Sequence, residues 1–279
     1  MLPDDDDALL EGAGIVPPDD PAAGLFAGDS WLRRVSGDPA IVFGGGRALL
    51  LEVAHPLVAA GVARHSDFRR DPFGRLQRTL QAMGAIVFRD RTAALAAVRG
   101  IDRAHGRVAG QLEQTVGKFP AGTAYRAHDP ELMRWVWATL LDTALVVYQR
   151  FVEPLSGEAL AAYHRDQAAL ARLLGVPEKL VPDRPEDFRR LVDETLADGT
   201  LRVGDDARAI ARSVLEAPTG PWGETAGLLT AGLLPQPLRR DFGLPWDESR
   251  EQALQELEVR VRAARRAAGT PVDAGREAR

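Results

Sequence analysis

The stretch DPELMRWVWATLLDTALVVYQRFVE, residues 129–153, decides the fold class. Asp129 offers a side-chain cap, and Pro130 suits a first helical position, where no intrahelical N–H bond is needed. The apolar residues behind them recur at helical spacing, not in strand-like alternation. The spacing predicts a helix over 130–153. The same punctuation appears at Asp71-Pro72 and Pro185-Glu186. Reading outward from these points gives further helices over 46–64, 72–88, 91–115, 157–174, 186–197, 206–216, 222–232 and 247–267, with Gly175 as a stop for the helix before it. Strand-type alternation is nearly absent, and Pro39 to Phe43 is the one short run of that kind. The expected fold is all-α, a single multi-helix domain over 29–265. An Asp-, Pro- and Gly-rich segment, 1–28, reads as a mobile or loosely wrapped arm, and an Ala-, Gly- and Arg-rich tail, 266–279, should fray.

Composition narrows the chemistry. Hydrophobic residues make up 45% and charged residues 27% of the 279, values of an ordinary globular chain with a core of its own. A net charge of -5 with scattered arginines supplies no positive field for nucleic acid. The absence of cysteine excludes disulfides, thiolate nucleophiles, iron–sulfur ligation and a thiolate-ligated heme. Asp4 to Asp7 near the N-terminus are the opposite of a cationic export signal, so a cytoplasmic location is expected. The longest apolar stretch, Ala48 to Ala63, is broken by Glu52, His55 and Pro56 and is shorter than the ~20 residues of a bilayer span; it reads as a core helix, without stable membrane insertion.

Three groups could carry chemistry. On the helix expected over 91–115, Ala94, Val98, Ile101, His105, Val108 and Leu112 step by four and three, which places them on one face. His105 is the only titratable member. It is either a metal ligand or a buried histidine satisfied by a hydrogen bond. Arg75 and Thr79 share a face one turn apart, beside apolar Leu76, Leu80, Met83 and Ile86. They read either as polar groups at the edge of an apolar pocket or as a surface arginine paired with Asp71 and a packing threonine. Asp142, among Leu140, Leu141, Ala144 and Leu145, requires an Arg, His or backbone partner. His128 and His164 read as exposed.

Other chemistries fail on pattern. Glu52 and His55 form one acid–histidine pair of the diiron type, but no second pair exists. A His-Glu-x-x-His zinc motif, a Gly-x-Ser-x-Gly elbow and a phosphate-binding loop are all absent. Gly44-Gly45-Gly46 lacks the lysine and the strand of a nucleotide site and reads as a flexible lead-in to a helix.

Several ordered motifs together resemble the catalytic domain of the MpaB-like and rubber-oxygenase family. They are Arg47-Ala-Leu-Leu-Leu-Glu-Val-Ala-His55-Pro56, Gly61-Val-Ala-Arg-His65-Ser66 and Asp71-Pro72-Phe-Gly-Arg75-Leu-Gln-Arg78-Thr79, followed by His105, by Tyr125 through Asp142, and by Leu174-Gly175-Val176-Pro177. The likeness covers roughly residues 30–250. It implies an all-helical fold enclosing a b-type heme, and dioxygen chemistry on an apolar, isoprenoid-like small molecule. On that resemblance His105 is the proximal heme histidine, and Arg75 and Thr79 are the arginine and threonine of the heme pocket. Rubber-cleaving members can carry a lysine just before that threonine; here Arg78 stands there, and its guanidinium stays protonated and cannot ligate iron. With no export signal in view, insoluble polyisoprene is not the expected substrate. The same residues could also serve a non-catalytic heme or apolar-ligand carrier.

Overall fold

The Asp129-Pro130 cap starts the helix around which the others assemble. In a computed structural model of the chain, residues 2–66, 72–216 and 221–268 are described, with the backbone alone at Pro72, Phe73, Arg75, Leu76 and Pro221. Thirteen α-helices lie among the described residues: α1 (Asp6–Ala13), α2 (Trp31–Ser36), α3 (Gly45–Ala54), α4 (Pro56–His65), α5 (Pro72–Phe88), α6 (Arg91–His105), α7 (Pro130–Phe151), α8 (Gly157–Leu173), α9 (Pro185–Ala197), α10 (Asp205–Glu216), α11 (Pro221–Leu233), α12 (Gln236–Asp241) and α13 (Glu248–Ala267). A two-stranded antiparallel ribbon, β1 (Ala109–Gln111) with β2 (Ala124–Arg126), completes an all-α fold.

Asp129 Oδ1 accepts from the amides of Glu131 and Leu132 at 2.9 and 3.3 Å, so the expected cap is made. Along α7, Trp135, Ala138, Leu141, Val147 and Phe151 are buried, and α2, α3, α8, α9 and α13 pack around it. Both buried indoles find acceptors: Trp135 Nε1 donates to the Leu51 carbonyl at 3.2 Å and Trp137 Nε1 to the Gln167 carbonyl at 3.0 Å. A tryptophan can sit that deep because its single donor is satisfied.

Two segments depart from the sequence reading, and the N-terminal arm takes the wrapped of its two expected forms over part of its length. The helix expected over 46–64 is two helices, α3 and α4, bent by 109°. Pro56 lacks the N–H that a continuing helix needs and pushes His55 into an extended conformation, φ −80° and ψ 119°. The run Pro39 to Phe43, strand-like in sequence, lies in a 3-10 helix, Pro39–Gly44, capped by Asp38. The segment 1–28 is wrapped on the core over part of its length: α1 packs on α8 and buries Leu9, Leu10 and Ala13. Short helices of this kind, α2 and α12 included, carry too few periodic positions to be read from spacing alone.

Gly44 and Gly46 are packing residues, not hinges. A Cβ on Gly44 would collide with Thr143 Cγ2 on α7, and one on Gly46 with Thr230 Oγ1 on α11. The start of α3 therefore lies against both helices at a separation that only glycine permits. Gly46→Ala is expected to cost about 1–3 kcal/mol by overpacking, read as a lower urea midpoint with unchanged slope. A variant as stable as the parent would refute this close approach.

Candidate functional site

Asp90 caps α6 by accepting from the Ala93 amide at 2.9 Å. Below the cap, Ala94 and Val98 are fully buried, Ile101 packs against the core, and His105 ends the helix half-buried. The expected stripe thus holds as far as His105. Beyond it the expectation of a helix to 115 fails, because residues 109–126 fold back as the β1–β2 ribbon. Gly110 pairs with Tyr125 there, and a Cβ at Gly110 would run into the buried Tyr125 ring. Gly106 and Gly110 weaken any continuing helix, and the ribbon uses the second for close approach. Val108 and Leu112 consequently pack with Leu57, Tyr125 and Leu132 in a separate apolar cluster.

The Arg89–Asp90 connection joins α5 and α6 into a hairpin of packed helices. Counted from that connection, Arg75 and His105 are each roughly four turns away and so lie at about the same level, with Thr79 roughly one turn nearer the connection. The Arg75 side chain lies outside the described residues, as does Asp71, the expected cap of α5. Thr79 is exposed. Toward the connection α5 is well packed, with Ile86 and Val87 buried and Met83 against the core. Residues 77–81 are exposed on every side of the helix, and this includes Leu80, which is 46% exposed. Among residues 77–81 the apolar side chain left exposed is Leu80.

Among the described residues, no group hydrogen-bonds the His105 ring. Burial holds the ring's pKa below the usual imidazole range, the charge of His128 adds to this, and Asp102 opposes both. The ring is therefore a neutral imidazole with a lone pair to give. His128, expected to be exposed, stands edge-on to His105 with ring centroids 6.0 Å apart, and its Nε2 lies 3.0 Å from Asp102 Oδ1 without hydrogen-bond geometry. Residue spacing offered no signal for this neighbour, because the ribbon between them is what returns the chain to His105. His164, also expected to be exposed, is 2% exposed and rests edge-on against Phe188, and its Nε2 has no partner.

The remaining site histidines hold structure. His65 Nε2 lies 3.1 Å from the Ala109 carbonyl and donates to it, tying α4 to β1. His55 Nδ1 accepts from the Leu57 amide at 3.3 Å and caps α4, while its ring packs on Phe119. Burial is the main cause that lowers the His55 pKa to about 4, with Lys118 adding to it. The unfolded chain takes up a proton near 6.5 and the folded one near 4, so folding stability is complete above 6.5 and falls as the pH drops through that window. The loss should reach about 3 kcal/mol. His55→Asn, which keeps an acceptor for the Leu57 amide, should flatten the fall between pH 7 and 4.5 in urea titrations, and an unaltered pH profile would refute this assignment.

Asp142 finds the partner it required in Arg47. Arg47 Nη2 meets Asp142 Oδ2 at 2.5 Å, Nη1 donates to Thr143 Oγ1 at 2.6 Å, and Nε donates to the Leu233 carbonyl at 2.7 Å. This network ties α3, α7 and α11 together. Among the described residues, no group of three or more His, Asp or Glu side chains is placed to hold a metal ion.

The family described as ER-bound oxygenase mpaB/B'/Rubber oxygenase, catalytic domain, matches residues 33–269. The chain belongs to this family. No curated protein and no solved structure is significantly similar to it. The matched stretch runs from α2 to the end of α13 and takes in the α5–α6 hairpin, while α1 and residues 14–30 precede it. The family is described as one of oxygenases. Among the described residues, no single helix is long and apolar enough to cross a membrane.

Proposed function

We propose that the chain is an oxygenase that holds a b-type heme on His105 and acts with dioxygen on an apolar, isoprenoid-like small molecule. The observation that carries this reading is the state of His105: half-buried, held neutral by burial, without a hydrogen bond among the described residues, and about one turn from the exposed residues 77–81 of α5. A histidine that only packs would be expected to satisfy its ring nitrogens. A porphyrin brings four nitrogens of its own, so one protein imidazole is enough. The residues present therefore fit the group.

In this reading His105 would hold the heme iron through its ring lone pair, and the edge of the His128 ring would limit the rotation of that imidazole. Arg75 and Thr79, on one face of α5, supply a guanidinium and a hydroxyl that orient a polarised oxygen ligand. Leu80 and its apolar neighbours on α5 exclude water from an apolar substrate. When bound, heme iron supplies dioxygen activation. Arg78 stays protonated and would not ligate the iron, so it would leave room for dioxygen to bind. The test is the optical spectrum of protein expressed with ample heme supply, followed by exposure of the reduced protein to dioxygen and an isoprenoid alkene. A Soret band and oxidised alkene are expected. Protein without a Soret band would overturn the heme assignment, and a heme protein that leaves the alkene untouched would be a carrier.

A further inference from the structure

Between the N-terminal segment and α8 lies a cleft of about 460 Å3, a size that holds a small organic ligand. One wall comes from residues 14–30, which precede the stretch matched by the family, so the cleft is built by this chain's own extension. The other wall includes Arg165 and Arg172 of α8, two helical turns apart and therefore on one face. Among the described residues no carboxylate pairs with either guanidinium. Arg172 engages only its Nε, which donates to the Ala13 carbonyl at 3.0 Å, and its terminal nitrogens stay available.

Buried Leu25 and Phe26 give the cleft an apolar lining, and Val16 stands at it 94% exposed. So exposed a valine beside two unpaired cations is a surface that an amphipathic ligand would cover. Two carboxylates also reach the lining. Asp166 Oδ2 accepts the Leu32 amide at 3.2 Å, and Asp183 is exposed. Their charge opposes a multiply charged anion and favours one that carries a single negative charge.

We propose that this cleft binds a small monocarboxylic acid, its carboxylate on Arg165 and Arg172 and its apolar body on Leu25, Phe26 and Val16. Each guanidinium is a planar donor fork of the kind that matches a carboxylate's two oxygens. None of the lining residues belongs to α5, α6 or the β1–β2 ribbon, so the proposal stands or falls apart from the reading of His105.

Calorimetric titration of the full chain with octanoate tests it. Saturation at a single site is expected, with 1-octanol binding at least tenfold more weakly and inorganic phosphate failing to compete. Arg165→Gln, an exposed position, should weaken octanoate roughly tenfold or more, the loss of a charge-assisted bond. Arg172→Lys, which keeps the charge without the fork, should weaken it less than Arg172→Gln. Thermal melts of each variant establish that it is folded. Octanoate that fails to saturate, 1-octanol that binds equally well, phosphate that competes, or unchanged affinity in folded Arg165→Gln overturns the proposal.

Discussion

Replacing His105 with alanine should strip most of the heme from the protein, seen as loss of the Soret band in protein that still gives a helical circular dichroism spectrum. The substitution removes one imidazole at the end of α6 and leaves the buried Ala94 and Val98 contacts of that helix intact. Stability without cofactor should therefore fall by a typical ~0.5–3 kcal/mol, because the ring is only half-buried and has no hydrogen bond to lose among the described residues. External imidazole should restore part of the band, since a small ligand can occupy the vacated space and present the missing nitrogen. Arg75→Ala provides the contrast: heme should stay while reactivity toward dioxygen falls by roughly ~10²–10³, the usual effect of losing one preorganised donor. Full, spectrally unaltered heme in His105→Ala would refute the axial assignment.

Arg47→Met should be the most damaging change to the fold. It removes the guanidinium that joins Asp142, Thr143 and the Leu233 carbonyl while keeping the aliphatic stem. Breaking a buried ion pair from one side leaves the other charge uncompensated, and such changes cost ~3–5 kcal/mol. The Asp142 side chain retains 24% exposure, so water relieves part of that, and about 3 kcal/mol is expected in urea denaturation. Asp142→Asn keeps an oxygen for Arg47 and should cost less, about 1–2 kcal/mol. The double variant Arg47→Met, Asp142→Leu should be more stable than Arg47→Met alone, because the stranded carboxylate is gone. An Arg47→Met protein within 1 kcal/mol of the parent would show that the network contributes little.

Most helices were legible because their signals are local. Asp129-Pro130 and the 3.6-residue spacing behind it located α7 to within a few residues, and α5, α8, α9, α10, α11 and α13 lie close to the ranges read from the sequence. The failures share a cause. At Pro56 a single missing N–H outweighed a helical apolar spacing that continues on both sides of it. At Gly106 and Gly110 the apolar spacing continued across two glycines that weaken a helix, the second of which the ribbon requires for close approach to Tyr125. Gly44 and Gly46, read as flexible, are rigidly packed by Thr143 and Thr230, partners far away in the chain.

The sequence by itself determined the all-helical class, the position of His105 on an apolar helix face and the family to which these motifs belong, since each rests on local spacing and residue identity. Tertiary structure alone decided which groups meet. His128 reaches His105 through the β1–β2 ribbon, Arg47 reaches Asp142 across two helices, His164 is buried against Phe188, and residues 14–30 close a cleft over α8. Periodicity fixes the face on which a side chain emerges, but its partner depends on how helices pack many residues apart, and short-range spacing carries no record of that packing.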